Sequence, residues 1–88
     1  MKIKDTYIVR NVAGENLVVP VGGKNINFNA VMTLNESAML LWKTLATGAD
    51  ERDLVKALTD EYGIDEARAA ADIDKFLNKL KENDILED

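Results

Sequence analysis

The hydrophobic residues of this chain change their spacing at Asn35, and that change divides the sequence into two kinds of secondary structure. Before Asn35, apolar residues alternate with polar ones in the manner of strands, most clearly from Asn25 to Thr33. After Asn35, apolar residues recur at intervals of three and four, which is the period of an amphipathic helix. The sequence therefore predicts an α+β fold with its strands first and its helices second.

Three strand-like segments precede Asn35. They begin at Tyr7, Leu17 and Ile26, with glycines in both connections. Because glycine adopts positive φ without strain, both connections can be tight turns, and we expect an antiparallel meander. Pro20 has no N–H to donate, so we expect it at the end of the second strand or facing solvent. In the third strand the alternation places these residues on one face: Ile26, Phe28, Ala30 and Met32.

Three helices are predicted after that point, each with its own N-cap. Asn35, Asp50 and Asp65 precede the three apolar stripes, and their side chains can accept hydrogen bonds from first-turn N–H groups. The expected bounds are about 36–46, 50–63 and 65–82. The stripe of the second helix consists of Leu54, Val55, Leu58 and Tyr62. We expect the final apolar pair, Ile85-Leu86, to fold back onto the core. Together these elements form a three-stranded antiparallel sheet followed by a winged helix-turn-helix-like unit of three helices.

Length and composition narrow the classes of function. The 88 residues are enough for a single domain, residues 1–88, whose thin core leaves little room for a deep active site. Neither Cys nor His occurs, which excludes disulfides, thiol nucleophiles and zinc sites built on sulfur or imidazole. No segment has the pattern of a signal peptide or a membrane span, so we expect a cytoplasmic protein with no membrane partner. We therefore expect binding rather than catalysis, with no catalytic residue, metal or cofactor.

The charge of the chain is negative and uneven. The formal net charge is −5, and the acidic excess lies in residues 34–88. The third helix, which reads DNA in winged-helix proteins, carries five acidic and four basic residues over 65–82. Because binding to phosphates needs a clustered excess of Lys and Arg, nucleic acid is not an expected partner. A winged-helix regulator acting on DNA or on another protein is kept as the alternative function.

Several polar residues have both a chemical and a structural interpretation. The pairs Asp72 with Asp74 and Asp50 with Asp53 can bind Mg²⁺ or act as acid and base, but helix capping and solvation explain them better. Ser37 is the one serine, which invites comparison with the attachment serine of acyl carrier proteins. It lies in a first helical turn after strands, however, without the preceding Asp of that motif. A structural role is expected for all five residues.

The third strand has the clearest functional content. If it lies at the edge of the sheet, its unpaired N–H and C=O groups can pair with an extended peptide, so that the peptide becomes an added strand. In the other interpretation, the third helix or the N-terminus covers that edge. An exposed edge can also pair with a second copy of the chain, so the sequence is compatible with a homodimer.

The residues around Asn35 resemble a known family. The run Leu34-Asn35-Glu36-Ser37-Ala38, followed by Leu41-Trp42, resembles the PqqD family of small chaperones in pyrroloquinoline quinone biosynthesis. Tyr7-Ile8-Val9-Arg10 and the pattern Asp72-Ile73-(x)₂-Phe76-Leu77-(x)₂-Leu80 extend the resemblance over nearly the whole chain. Members of the quinone pathway commonly have Asp-Gly after the first helix, where this chain has Thr47-Gly48-Ala49-Asp50. The resemblance is therefore to the broader class of stand-alone PqqD-like proteins.

The resemblance implies a winged-helix-like RiPP recognition element, a domain that serves ribosomally synthesised and post-translationally modified peptides. Such a domain binds the leader of a precursor peptide and presents it to a modifying enzyme, often a radical SAM protein. Family members bind the leader as a strand beside the third strand and against the third helix. Carried onto this chain, the resemblance implies these peptide-binding residues: Asn27, Phe28, Asn29, Ala30, Val31, Met32, Asp72, Lys75, Phe76 and Lys79. Phe76 is equally compatible with a place in the core.

Overall fold

The computed structural model describes residues 1–21 and 32–87. In chain order its elements are the strands β1 (Lys2–Ile3), β2 (Tyr7–Val12), β3 (Glu15–Pro20) and β4 (Met32–Leu34), the helices α1 (Glu36–Ala46), α2 (Glu51–Tyr62) and α3 (Glu66–Glu82), and the strand β5 (Leu86–Glu87). Strands give way to helices at Asn35, which confirms the predicted α+β order.

Three strands form an antiparallel sheet in the order β2-β3-β4. The β2–β3 hairpin turns at Ala13 and Gly14, whose φ angles are 53° and 84°, and this turn suits the right-handed twist of the two strands. Pro20 is the last residue of β3, as predicted. β4 pairs with β3 through Met32 opposite Val18, so β4 is an outer strand of the sheet. The remainder of the predicted third strand, residues 25–31, lies outside the described residues.

A second, two-stranded sheet was not predicted. β1 pairs with β5, with Ile3 opposite Leu86, and the Lys4 N–H donates to the Ile85 carbonyl over 2.9 Å. Ile85 is fully buried, which confirms that the final apolar pair folds back onto the core. Because each strand has only two residues and the partners lie at opposite ends of the chain, no local pattern identifies the pairing.

The three helices follow the predicted bounds closely because their ends are specified locally. Asn35, Asp50 and Asp65 are the N-caps, and each side chain accepts a hydrogen bond from an N–H of the first turn. α2 ends at Gly63, whose φ of 65° is the left-handed conformation that glycine adopts most easily. Among residues 1–21 and 32–87, no helix has the length and apolar character needed to cross a bilayer.

The core lies between the sheet and the three helices. Its buried side chains are Ile3, Val18, Met32, Leu34, Leu41, Trp42, Leu45, Leu54, Leu58, Ala69, Ile73, Phe76, Leu77, Leu80 and Ile85. Tyr62 was predicted on the apolar stripe of α2 but is 42% exposed. It is the last residue of α2, and the chain turns away at Gly63, so the neighbouring helices do not enclose the ring.

Candidate functional site

β4 and α3 form two walls of a groove of about 820 Å³. The start of α1 closes one side, and apolar side chains of the core form the floor. The residues that line the groove are Met32, Thr33, Leu34, Asn35, Ser37, Ala38, Leu41, Leu58, Asp72, Lys75, Phe76, Asn78, Lys79 and Glu82. The groove thus joins an outer strand, an apolar floor and a polar helix face.

The β4 wall combines a buried face with an edge to which no second described strand is paired. Met32 and Leu34 point into the core, whereas Thr33 between them is exposed, as the alternation of a strand requires. Within residues 1–21 and 32–87, β4 pairs with β3 alone. The N-terminal segment pairs with β5 instead, so it does not cover this edge. Backbone groups of β4 that point away from β3 therefore have no partner strand among these residues.

Asn35 marks the corner where β4 ends and α1 begins. Its backbone is still extended, and its Oδ1 accepts from the Ala38 N–H over 2.9 Å. The Ser37 hydroxyl donates to the same Oδ1 over 3.0 Å. The bond from Ala38 gives an N–H group in the first turn of α1 a hydrogen-bond partner. Asn35 and Ser37 both line the groove. The structural role expected for Ser37 is confirmed.

The α3 wall carries balanced charge. Asp72, Lys75, Lys79 and Glu82 follow one another at intervals of three and four, so they lie on one side of the helix beside its buried stripe. Two of these side chains are acidic and two are basic, and all four are exposed. The wall therefore offers polar contacts to a ligand without a net electrostatic attraction for anions.

Comparison with known proteins identifies the family. The family model for PqqD, coenzyme PQQ synthesis protein D, matches residues 15–86. The chain belongs to the PqqD family. The match spans all three helices and two of the three strands of the main sheet, so the resemblance seen in the sequence is confirmed.

A solved structure shares the PqqD fold of this chain. It is TbiB1 in complex with the TbiA(beta) leader peptide, and it superposes with a TM-score of 0.76 at 23% sequence identity, covering 99% of this chain and 95% of that chain. This likeness confirms the three-stranded sheet followed by three helices. No curated protein sequence matches the chain.

The groove of this PqqD protein brings together the described residues that the resemblance implied. Met32, Asp72, Lys75, Phe76 and Lys79 all line it. The other implied residues lie outside the described residues and stay predictions: Asn27, Phe28, Asn29, Ala30 and Val31. Both interpretations of Phe76 hold, since the side chain is 7% exposed, belongs to the core and also lines the groove.

Sequence reasoning missed part of the groove. Asn78 follows Lys75 by three residues and Glu82 follows Lys79 by three residues on α3, so helical spacing was a sufficient signal for both. Leu58 belongs to α2 and reaches the floor only through tertiary packing. No spacing in the sequence indicates that contribution.

The carboxylate pair Asp50 with Asp53 forms a capping box. The Asp53 N–H donates to Asp50 Oδ1 over 2.9 Å, and the Asp50 N–H donates to Asp53 Oδ2 over 3.1 Å. The hydrogen bond from the Asp53 N–H is the main cause that lowers the pKa of Asp50 below its ordinary value. The capping interpretation of this pair is confirmed.

Proposed function

We propose that this protein is a non-catalytic adaptor that holds the leader of a ribosomally made precursor peptide as an added strand beside β4. The leader lies in the groove against α3, and its backbone pairs with the outer edge of β4. Backbone hydrogen bonds then supply affinity, and the groove contacts of alternate side chains supply specificity.

One observation carries this proposal: the outer strand β4 borders an apolar-floored groove. An exposed strand edge alone is common and is usually guarded against unwanted pairing. Here Phe76, Leu41 and Ala38 lie in the groove beside that edge, so a paired peptide can bury apolar side chains at the same time. The two contributions act on one extended ligand.

The charge of the α3 wall favours a peptide over nucleic acid. Lys75 and Lys79 are offset by Asp72 and Glu82, so the wall lacks the basic excess that phosphate binding requires. Affinity that comes from backbone pairing and apolar contact should change little between low and high salt.

Family and fold similarity support the same proposal. The chain is a PqqD protein, and TbiB1, which has the same fold, was solved with a leader peptide bound. We propose a radical SAM maturation enzyme as the enzyme that receives the leader, because the resemblance to the PqqD family implies such a partner. We propose that the acidic helical half of the chain, residues 34–88, docks to that enzyme. Purification of the tagged protein together with the radical SAM enzyme of a neighbouring gene tests this partner.

We also propose that a homodimer formed through β4 competes with the complex of the protein and the leader peptide. The same backbone groups that pair with the leader can pair with the β4 strand of a second copy. The two assemblies exclude each other, so the leader peptide should convert any dimer into monomers. Sedimentation velocity with and without peptide measures this conversion.

Backbone methylation of the peptide tests strand addition directly. The probe is a candidate leader peptide, chosen from any short open reading frame found near the gene and made with N-methyl groups on one or the other alternate set of residues. Because only one set of amides can pair with β4, we expect one methylated peptide to bind at least about tenfold more weakly and the other to bind nearly as well as the parent. Equal binding of both methylated peptides would contradict strand addition.

A pair of substitutions in the protein localises the site. Ala38→Leu narrows the groove floor, and Ala57→Leu makes the same change on α2 away from the groove. Both alanines are only half-buried, so both variants should fold. We expect Ala38→Leu to lower the affinity for the leader peptide roughly fivefold or more, and we expect Ala57→Leu to leave that affinity unchanged. Equal affinities of the two variants would exclude this groove as the site.

A further inference from the structure

A second pocket continues the groove past the end of β4. It has a volume of about 440 Å³ and lies between the first turn of α1, the end of α2 and the start of α3. Leu58 and Asp72 line both this pocket and the groove, so the two form one depression. A peptide that lies along β4 and continues beyond Leu34 reaches this pocket.

Apolar and aromatic side chains form part of the pocket lining. Leu58 is fully buried beneath it, Ile64 is half-buried, and Tyr62 contributes an aromatic side chain that is 42% exposed. Partial removal from water, followed by the nearby Glu36 and Glu61 carboxylates, raises the pKa of Tyr62 above its ordinary value of 10.0, and the phenol is neutral at physiological pH with or without this shift. The ring is thus available for contact with an apolar group.

The charged residues at this pocket do not select a charged ligand. Glu36, Arg68 and Asp72 line it, and the acidic and basic groups offset one another in part. All three are exposed, so none offers a buried partner to a ligand charge. Apolar contact with Leu58, Tyr62 and Ile64 is the interaction that the pocket can supply.

The strand edge and the pocket recognise a peptide by different means. The described part of β4 has three residues, about 10 Å at the rise of a strand, and it ends where the chain turns into α1. Beyond Leu34, strand pairing with β4 is no longer available to a peptide. A peptide residue at the pocket is therefore held mainly by its side chain.

We propose that the pocket around Tyr62 is a specificity subsite that takes one aromatic or branched aliphatic side chain of the leader. This inference rests on the proposed function. The sheet is antiparallel throughout its described strands, and antiparallel pairing is slightly more stable per residue, so an added strand runs opposite to β4. The subsite residue then lies N-terminal to the peptide segment that pairs with β4.

The test uses a phage-displayed library of random linear peptides selected on the wild-type protein. We expect the selected peptides to share one apolar residue N-terminal to an extended segment. Tyr62→Ala should weaken these peptides roughly fivefold or more, whereas Tyr62→Phe keeps the ring and should bind them normally. Val12→Ala, which truncates another exposed apolar side chain on β2, is the matched control and should have no effect.

The peptide supplies the second half of the test. Changing its shared apolar residue to Ala should weaken binding to wild type, and Tyr62→Ala should then cause no further loss. If Tyr62→Ala lowers the affinity equally for peptides with and without that residue, or lowers neither affinity, the subsite is excluded. That result would not exclude the groove as the binding site. If the wild-type protein selects no peptides at all, the proposed function fails instead.

Discussion

Phe76 serves two surfaces at once, because its side chain belongs to the core and also lines the groove. Phe76→Leu keeps an apolar side chain but leaves part of the ring volume empty. We expect it to lower the free energy of unfolding by about 1 kcal/mol and to weaken the leader peptide as well. Urea denaturation and peptide titration measure the two effects. A loss of stability without any change in affinity would assign Phe76 to the core alone.

Asp50 makes the stability of the protein depend on pH at the acid end. Its pKa is lowered in the folded state, chiefly by the hydrogen bond from the Asp53 N–H, so the ionised cap stabilises the fold. That stabilisation is present above the ordinary value of 3.8 and is lost as the pH falls through the lower folded pKa. Asp50→Asn keeps a capping oxygen without the charge, so its stability should fall less steeply below pH 3.8. Parallel acid-denaturation profiles for both proteins would contradict this.

Single residues were predictable from the sequence where their role is local. Asn35, Asp50 and Asp65 cap their own helices, so the sequence neighbourhood contains both partners of each hydrogen bond. Tyr62 was placed on the stripe of the second helix but is 42% exposed, because helical spacing gives the direction of a side chain but not whether a neighbour reaches it. The double role of Phe76 depends in the same way on what α3 packs against.

α3 supplies one wall of the groove, so its N-cap should matter to the stability of that wall. Asp65 accepts a hydrogen bond from the Arg68 N–H over 2.8 Å. Asp65→Ala removes it, and we expect a loss of about 1 kcal/mol in the free energy of unfolding. Asp74→Ala makes the same change in the middle of α3, where no cap is lost, and should leave stability nearly unchanged. Thermal or urea denaturation of both variants checks the difference.

Whole elements divide into those with a local signal and those without one. The helices and the β2–β3 hairpin have caps, turns and periodic spacing within one stretch of sequence, so they could be predicted. The β1–β5 pairing joins two-residue strands from opposite ends of the chain, and only the tertiary fold specifies it. The groove could be predicted only in part. Its α3 wall follows from helical spacing, whereas the contribution of Leu58 from α2 does not.

Contacts between the N-terminal and C-terminal segments stabilise the fold of the whole molecule. Ile3 is buried in the core beside the β1–β5 pairing, and the Tyr7 hydroxyl donates to the Asn83 carbonyl at the end of α3 over 3.3 Å. Ile3→Ala should therefore lower the free energy of unfolding by roughly 2 to 4 kcal/mol. In the ion pair of Lys4 with Asp84, the Asp84 side chain is 88% exposed and Lys4 is half-buried, so Lys4→Ala is the control and should cost less than about 1 kcal/mol. If both variants lose the same free energy of unfolding in urea denaturation, the burial of Ile3 is not the main source of this stabilisation.

The account depends on an extended peptide pairing with the outer edge of β4 and contacting α3. The direct measurement is the titration of ¹⁵N-labelled protein with a candidate leader peptide from a short open reading frame near the gene, and the readout is the change of amide chemical shifts in NMR spectra. We expect the largest shifts at Met32–Leu34 and along the groove side of α3 at Asp72, Lys75 and Lys79, with little change along β2. Shifts concentrated on β2, with β4 and α3 unchanged, would contradict the account.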